Sequence, residues 1–341
     1  MNTDIAGAVY VQTNEPQNSV VAFRRAADGS LQRGTTYSTD GAGSGVPHLT
    51  SQGSVVLTTD GRHLLVANAA SDEISVFAVA PDASLTLVGC TSVGSTPRSI
   101  AERDGMVYVL NTGTPSLTGY RLSDQGLAPI AEAEYPLSAA DADPAQVGFD
   151  PAGRTLIVTE RGTNAIVAFP VAKAGLLGAP TVIASSGPTP YGFTITADGI
   201  LVVTEAFGAQ QGKAAASSYV LDGSAVRPVT ASIGNGRSEI CWAVATSDGR
   251  SVFTTNFADG AVSRFAVARD GSLTLADATA GISVDGRPGL RDEALTKDEY
   301  LYAIDADAGS IFGWSIGSDG ALAAIGSWGG LPSTIAGLAA I

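Results

Sequence analysis

Short apolar runs, each ending in a polar residue, recur along the whole chain. The runs are YVQT at 10–13, LVAN at 65–68, YVLN at 108–111, IVTE at 157–160, VVTE at 202–205, FTTN at 253–256 and YAID at 302–305. They return about every 49 residues, and runs this short, rich in β-branched and aromatic residues, are typical of β-strands. No stretch sustains a helical period. The pattern therefore predicts seven copies of one β-rich unit.

Each unit contains three further predicted strands. A second apolar run follows the first, as in ISVFAV at 74–79 and VSRFAV at 262–267. Asp-Gly turns such as DGSL at 270–273 then lead into a third run, and Asp-Gly between apolar runs is a strong hairpin signal. Another run precedes the first, as in SVVLTT at 54–59. Four short antiparallel strands, A to D, are typical of a β-propeller blade.

The two ends of the chain complement each other. The first unit has no strand A before GAVYVQT, and the last unit is followed by an extra strand-like run, STIAGLAAI at 333–341. We therefore predict an all-β fold, a seven-bladed β-propeller with four antiparallel strands per blade. Its ring is closed by the C-terminal strand joining the N-terminal blade, and residues 1–341 form a single domain.

Composition narrows the possible partners. The 341 residues include 19 Lys+Arg and 33 Asp+Glu, a formal net charge of −14, which repels nucleic-acid phosphates. No run reaches the roughly 18 apolar residues of a membrane helix. We expect a small-molecule substrate, no nucleic-acid or membrane partner, and a monomer.

Cysteine usage and the N-terminal sequence give further expectations. Cys90 and Cys241 form neither a disulfide framework nor a zinc motif. We therefore expect no cofactor and no metal. The N-terminal sequence MNTDIAGAVYV has neither the basic region nor the apolar region of a signal peptide, so the chain as written is expected to be cytoplasmic. A removed signal peptide would make it periplasmic or secreted.

The YV-T-N element, the Asp-Gly-x-Leu turns and the seven units resemble the lactonase-type β-propellers. That family includes 6-phosphogluconolactonase-like and carboxymuconate-lactonising members. The resemblance covers the whole chain, and SQGSVVLTTDGR and CWAVATSDGR are similar to a bacterial branch. The Trp-Asp pair of WD40 repeats is absent, because the tryptophans are followed by Ala, Ser and Gly. The resemblance implies a lactone (carboxylic ester) hydrolase.

The candidate chemistry lies on one face of the predicted ring. In a propeller the D-to-A connections and the B-to-C turns share a face, here called the first face, where the central channel opens. The start of each strand A and the end of each strand B lie on it. The candidates there are His48, Gln52, Arg98, Gln146, Tyr191, Trp242, Arg287, Glu160, Glu205 and Asp305, and Arg291 and Asp292 lie in the same segments.

Ester hydrolysis needs a general base and a group that polarises a carbonyl. Glu160 or Glu205 is the predicted base, because Glu is poorly suited to the turn-bonding role of the Asn found at this position in other units. Arg98 and Arg287 are predicted to hold an anion or carbonyl.

The remaining candidates complete the predicted site. His48 is a further catalytic candidate, and the predicted substrate-binding residues besides Arg287 are Gln52, Gln146, Tyr191, Trp242 and Asp305. In lactonising members, His and Arg heading strand A on consecutive blades are understood to work with a Glu ending strand B. The nearest equivalents here are Arg98, Gln146 and Glu160, without the His-then-Arg pair.

Three functions follow from these residues. The leading hypothesis is a lactonase-type hydrolase acting on a small polar cyclic ester at the channel mouth. One alternative is a lactonising isomerase or lyase on the same face. The other is a non-catalytic propeller that binds a ligand or a protein.

Overall fold

A computed structural model describes residues 5–47, 49–284 and 286–341. Within them, 28 strands form seven four-stranded sheets, each with strand order A-B-C-D. Blades 1 to 4 comprise β28 (Leu338–Ala340), β1 (Ile5–Gln12), β2 (Ser19–Ala26), β3 (Leu31–Ser38); β4 (Val55–Leu57), β5 (His63–Asn68), β6 (Glu73–Val79), β7 (Leu85–Ser92); β8 (Pro97–Arg103), β9 (Met106–Asn111), β10 (Ser116–Ser123), β11 (Gly126–Pro136); and β12 (Pro144–Phe149), β13 (Thr155–Glu160), β14 (Ala165–Pro170), β15 (Thr181–Ala184).

Blades 5 to 7 comprise β16 (Pro190–Ile195), β17 (Ile200–Glu205), β18 (Ala215–Asp222), β19 (Ala225–Gly234); β20 (Ile240–Ala245), β21 (Ser251–Asn256), β22 (Ala261–Val267), β23 (Leu273–Ile282); and β24 (Leu290–Leu295), β25 (Tyr300–Asp305), β26 (Ser310–Ile316), β27 (Leu322–Trp328). Single 3-10 turns lie at Lys173–Gly175, Phe207–Ala209 and Phe257–Asp259. The predicted all-β, seven-bladed propeller is confirmed. No helix of the described residues is long and apolar enough to cross a membrane.

The core lies between the blades. Successive strand residues point to opposite faces of a sheet, so each strand B contributes to two interfaces. In β1, Val9 and Val11 pack with Tyr302 of blade 7, whereas Ala8 and Tyr10 pack toward blade 2. This double burial explains why the strand-B runs are almost continuously apolar.

The ring closes as predicted. β28 pairs antiparallel with β1, with Val11 opposite Leu338 and Val9 opposite Ala340. Arg25 of β2 reinforces this junction: its Nε donates to the Ile341 carbonyl at 3.2 Å, and its Nη1 lies 2.8 Å from Asp298 Oδ2 in blade 7. One buried guanidinium therefore links blades 1 and 7.

Candidate functional site

The first-face end of strand A is irregular in blades 3 to 7. The first residue of each strand pairs with the last residue of strand B, and the register then shifts. A β-bulge of this kind re-aims the side chain of the extra residue. The residues immediately after the paired position are Arg98, Ala145, Tyr191, Cys241 and Arg291.

Arg98 and Arg161 bring two guanidinium groups to Tyr191. Arg161 lies with its Cζ 5.0 Å from the centroid of the Tyr191 ring and its Nη2 2.6 Å from Asp143 Oδ1. Arg98 donates from Nη1 to Thr50 Oγ1 at 2.7 Å, while its buried Nε has no hydrogen-bond partner among the described residues. Burial, followed by the Arg161 charge, lowers the pKa of Arg98. The Arg98 Nε–H is therefore a buried donor that could bind an oxygen atom of a ligand.

Tyr191 and Trp242 form the apolar part of this region. Their ring centroids are 5.8 Å apart, and they belong to a small cluster with Ala145, Ala206 and Cys241. Trp242 is fully buried and donates from Nε1 to the Ser51 carbonyl at 2.9 Å. Burial raises the pKa of Tyr191 well above 10, so its hydroxyl stays neutral at physiological pH.

Arg291 places a third guanidinium beside this cluster. It is 2% exposed, with Nη2 3.6 Å from Asp307 Oδ1 and Cζ 5.2 Å from the Phe257 ring centroid. Its Nε and Nη1 have no hydrogen-bond partner within the part of the chain that the structure describes. Burial lowers the pKa of Arg291, and the smaller effects of Asp307, Asp292, Asp305 and Tyr191 all oppose that shift.

Asp292 is a buried acid next to Arg291. Burial raises its pKa to about 7, against smaller opposing effects of hydrogen bonds from the Gly337 backbone and the Trp242 side chain. A carboxyl group with this pKa is present in both protonation states near neutral pH. It can therefore accept and return a proton under physiological conditions.

Glu293 is a second buried acid, on the neighbouring position of β24. It pairs with Ala303, and the corresponding strand-A positions in the other blades hold Leu338, Val55, Ile100, Val147, Phe193 and Ala243. It is 5% exposed, and neither carboxyl oxygen has a hydrogen-bond partner among the described residues. Burial raises its pKa well above the usual value, with a further contribution from Asp292.

The oxygens of Glu160 and Glu205 are occupied by hydrogen bonds. Both are completely buried at the ends of β13 and β17. Glu160 accepts hydrogen bonds from the Ser138 backbone N–H at 3.0 Å, from Thr163 Oγ1 at 2.6 Å and from the Ser138 hydroxyl. The donors to Glu205 are Gly187 N at 2.7 Å, Ser217 Oγ at 2.6 Å, Ser185 Oγ at 3.4 Å and the Ser232 hydroxyl. These donors lie on strands C and D and on adjoining loops.

In several blades the last residue of strand B therefore forms hydrogen bonds that join the strand to neighbouring parts of the chain. Asp305 accepts from Ser283 Oγ at 2.6 Å and from Ala308 N at 2.9 Å. The expectation that Asn bonds its own turn holds for Asn256, which donates to the Ala261 carbonyl, but not for Asn68, which bonds Asn18, Thr39 and Ser75. This geometry gives Glu160 and Glu205 a structural role. Their predicted catalytic role stays a prediction.

Of the other predicted residues, Gln52 and Gln146 line one pocket together with Phe193 and Ala243. The Gln52 carboxamide donates to the Ala243 carbonyl and accepts from the Ala243 N–H, and the Gln146 carboxamide makes the same pair of hydrogen bonds with Phe193. Arg287 is exposed on the connection before β24. His48 lies outside the described residues. The roles predicted for these residues stay predictions.

Several residues of this region had no predicted role. The sequence pattern places Arg291 and Asp292 on the first face without a role, and it does not single out Arg161 or Glu293. A signal was present in the sequence: aligning the seven strand-A starts would show that LRDE at 290–293 alone carries three charges inside an apolar strand. Among the described residues, no group of three or more His, Cys, Asp and Glu is placed to hold a metal ion.

Comparison with known proteins agrees with this architecture. The profile of the family “Lactonase, 7-bladed beta-propeller” matches residues 6–127. No curated protein sequence matches the chain. A proposed 6-phosphogluconolactonase from Bacteroides fragilis has a TM-score of 0.74 at 16% identity, over 100% of this chain and 99% of that one.

The periplasmic gluconolactonase of Pseudomonas aeruginosa has a TM-score of 0.73 at 16% identity, over 97% and 98% of the two chains. A proposed 6-phosphogluconolactonase from Bacteroides uniformis has 0.76 at 15%, over 97% and 99%. At these identities the structural likeness shows the fold alone. Together with the profile match, it confirms the resemblance to lactonase-type propellers.

Proposed function

We propose that this lactonase-like propeller hydrolyses a small, polar or mildly anionic cyclic ester at its first face. The observation that supports the proposal most is the pair Arg98 and Arg291. Each has a buried guanidinium N–H without a partner among the described residues, and each lies near enough to Tyr191 for ionisation of that side chain to affect its pKa. Unpartnered buried donors are costly to a fold and are suited to an oxygen that carries developing charge.

Asp292 supplies the proton chemistry in this proposal. A water molecule attacks the lactone carbonyl carbon and gives its proton to the Asp292 carboxylate. Arg98 and Arg291 stabilise the oxyanion of the tetrahedral intermediate. The ring C–O bond then breaks, Asp292 returns the proton to the leaving alkoxide, and the product is an open-chain hydroxy acid.

The proposal is tested with a panel of five- and six-membered lactones, with and without a carboxylate, followed by pH-stat titration of the acid released. Arg98→Met and Arg291→Met are each expected to lower kcat/KM by about 100-fold, the effect of removing one oxyanion donor. Arg62→Met is the matched control, because Arg62 is exposed and belongs to the turn between β4 and β5. Unchanged hydrolysis in both test variants would overturn the assignment.

The pH dependence tests Asp292 separately. A general base acts only when ionised, so kcat/KM should rise through an apparent pKa of about 7. Asp292→Asn should remove this rise and lower kcat/KM by about 100-fold or more. A wild-type profile that is flat between pH 5 and about 8 would contradict the role of Asp292.

Ligand binding without hydrolysis is the second candidate function. It is favoured by the positions of Glu160 and Glu205, whose oxygens are engaged by hydroxyl and backbone donors. Calorimetric titration with the same lactones distinguishes the two functions. Binding that depends on Arg98 and Arg291 without acid release would support the binding propeller.

A further inference from the structure

The residues Leu49–Gln52, here called the plug segment, join opposite sides of the ring. They belong to the connection between β3 and β4, the longest of the seven D-to-A connections. Gln52 N donates to the Ala145 carbonyl of blade 4 at 3.3 Å, and Ser99 Oγ of blade 3 donates to the Gln52 carbonyl at 2.6 Å. Leu49 is 2% exposed. The plug segment is therefore packed into the molecule.

Gln52 reaches across the ring to blade 6. Its Nε2 donates to the Ala243 carbonyl at 2.9 Å, and its Oε1 accepts from the Ala243 N–H at 3.1 Å. The carboxamide thus satisfies both backbone groups of one strand-A residue, as a paired strand would. Gly192 of blade 5 makes room for it, because a Cβ at Gly192 would clash with Gln52 Oε1 and the Cys241 carbonyl.

Two other plug residues contact the candidate site. Thr50 Oγ1 accepts from Arg98 Nη1 at 2.7 Å, and the Ser51 carbonyl accepts from Trp242 Nε1 at 2.9 Å. Ser51 Oγ also donates to the Arg98 carbonyl at 2.8 Å. The orientations of the Arg98 guanidinium and the Trp242 indole therefore depend on where the plug segment lies.

We propose that Gln52 is a positioning residue of the site. It fixes the plug segment against blade 6, and Thr50 and Ser51 in turn orient Arg98 and Trp242. The part of this inference that concerns catalysis rests on the function proposed above. The part that concerns the orientation of Trp242 does not.

The first test measures Trp242 fluorescence in Gln52→Met, which keeps the side-chain length and removes both hydrogen bonds. Trp242→Phe in each background isolates the Trp242 emission from that of Trp314 and Trp328. We expect a shift to longer wavelength in Gln52→Met, because the indole loses its fixed environment. Gln146→Met is the matched control: it removes the same reciprocal pair, here with Phe193, and lies outside the plug segment. Its Trp242 emission should stay unchanged.

The second test uses Gln52→Glu. When protonated, this side chain can donate to the Ala243 carbonyl and accept from the Ala243 N–H, as glutamine does. When ionised, it cannot donate, and it faces the carbonyl oxygen with a negative charge. The Trp242 emission of Gln52→Glu should match wild type at low pH and that of Gln52→Met at high pH. The comparison is made in an Asp292→Asn background, because Asp292 has a pKa of about 7 and accepts a hydrogen bond from the Trp242 side chain. In that background, proteins with Gln52 or Gln52→Met should show no such transition.

The kinetic test compares KM and kcat for the best lactone of the panel. Misplacement of Arg98, which stabilises the oxyanion in the proposed reaction, should lower kcat in Gln52→Met about tenfold and change KM little. If wild type hydrolyses no lactone, the proposed function fails, and the emission measurements still decide the role of Gln52. A folded Gln52→Met protein with wild-type Trp242 emission would overturn the inference.

Discussion

Glu293 is a single carboxyl group at a position that is apolar in the six other blades. Its counterparts include Val147, Phe193 and Leu338, all of which pack in inter-blade clusters. A buried polar group without a partner lowers the stability of the fold. Glu293 therefore weakens the interface between blades 6 and 7.

Replacing Glu293 with an apolar residue should stabilise the protein. Glu293→Val is expected to raise the free energy of unfolding at pH 7 by about 1–3 kcal/mol, measured by urea denaturation at unchanged m-value. Glu293→Gln is the control, because it removes the ionisation and keeps the buried polar group. A Val variant no more stable than the Gln variant would contradict this prediction.

The pH dependence of stability provides a separate prediction for the two neighbouring acids. Folding raises the pKa of both Asp292 and Glu293, so the native chain holds protons that the unfolded chain releases. Binding of these protons contributes to the free energy of unfolding. The contribution is complete below the usual carboxyl pKa values and is lost as the pH rises through the raised pKa of the folded protein. For Asp292 the window runs from 3.8 to about 7.

We therefore expect the wild-type free energy of unfolding to fall between pH 4 and 7, with a smaller fall in Asp292→Asn, both measured by urea denaturation. The exposed Glu134 provides the control, because Glu134→Gln should follow the wild-type curve. Parallel curves for wild type and Asp292→Asn would contradict the buried-acid interpretation.

At the scale of elements, the last residue of strand B in several blades hydrogen-bonds to neighbouring turns and outer strands. Glu160→Gln and Glu205→Gln should each lower the free energy of unfolding by about 1–3 kcal/mol, because an amide nitrogen replaces an acceptor oxygen facing hydroxyl and N–H donors. Lactone kcat/KM should stay within about threefold of wild type in both variants. A 100-fold loss of kcat/KM in a stably folded variant would instead restore the predicted catalytic base.

The strand pattern predicted the blades but not the details of their ends. The runs that end at Asn68, Glu160 and Glu205 belong to strands that end at those residues and begin two residues earlier than the runs. The partner of Glu160, Ser138, lies 22 residues upstream in a connection without a regular pattern. Hydrophobic periodicity reports which face is buried, and it carries no information on hydrogen-bond register.

The bulges at the start of strand A were missed for the same reason. Because of these bulges, the side chains of Arg98, Tyr191 and Arg291 do not follow the regular alternation between the two faces of the sheet. The Gln52 side chain bonds Ala243 of blade 6, which lies 191 residues further along the chain. No local pattern predicts such a contact, and it required the assembled ring.

At the scale of the whole molecule, Arg25 links the first and last blades. Its side chain is 3% exposed, so Arg25→Leu should lower the free energy of unfolding by about 2–4 kcal/mol in urea denaturation. The matched control is the exposed pair Arg62–Asp60, where Arg62→Leu should leave the urea midpoint at its wild-type value. Equal effects of the two substitutions would contradict the role of Arg25 in closing the ring.

The pairing of β28 with β1 also has a consequence for the order of folding. Val11 and Leu338 stand at opposite ends of the sequence, so their contact closes a loop that contains nearly the whole chain. Hairpins within a blade close short loops and form early, whereas so distant a pairing becomes favourable only after the intervening blades are compact. During synthesis, β1 therefore leaves the ribosome with an unpaired inner edge and keeps it until β28 is made. An exposed edge is a template for intermolecular pairing, so the nascent protein is most prone to aggregation just before its ring closes.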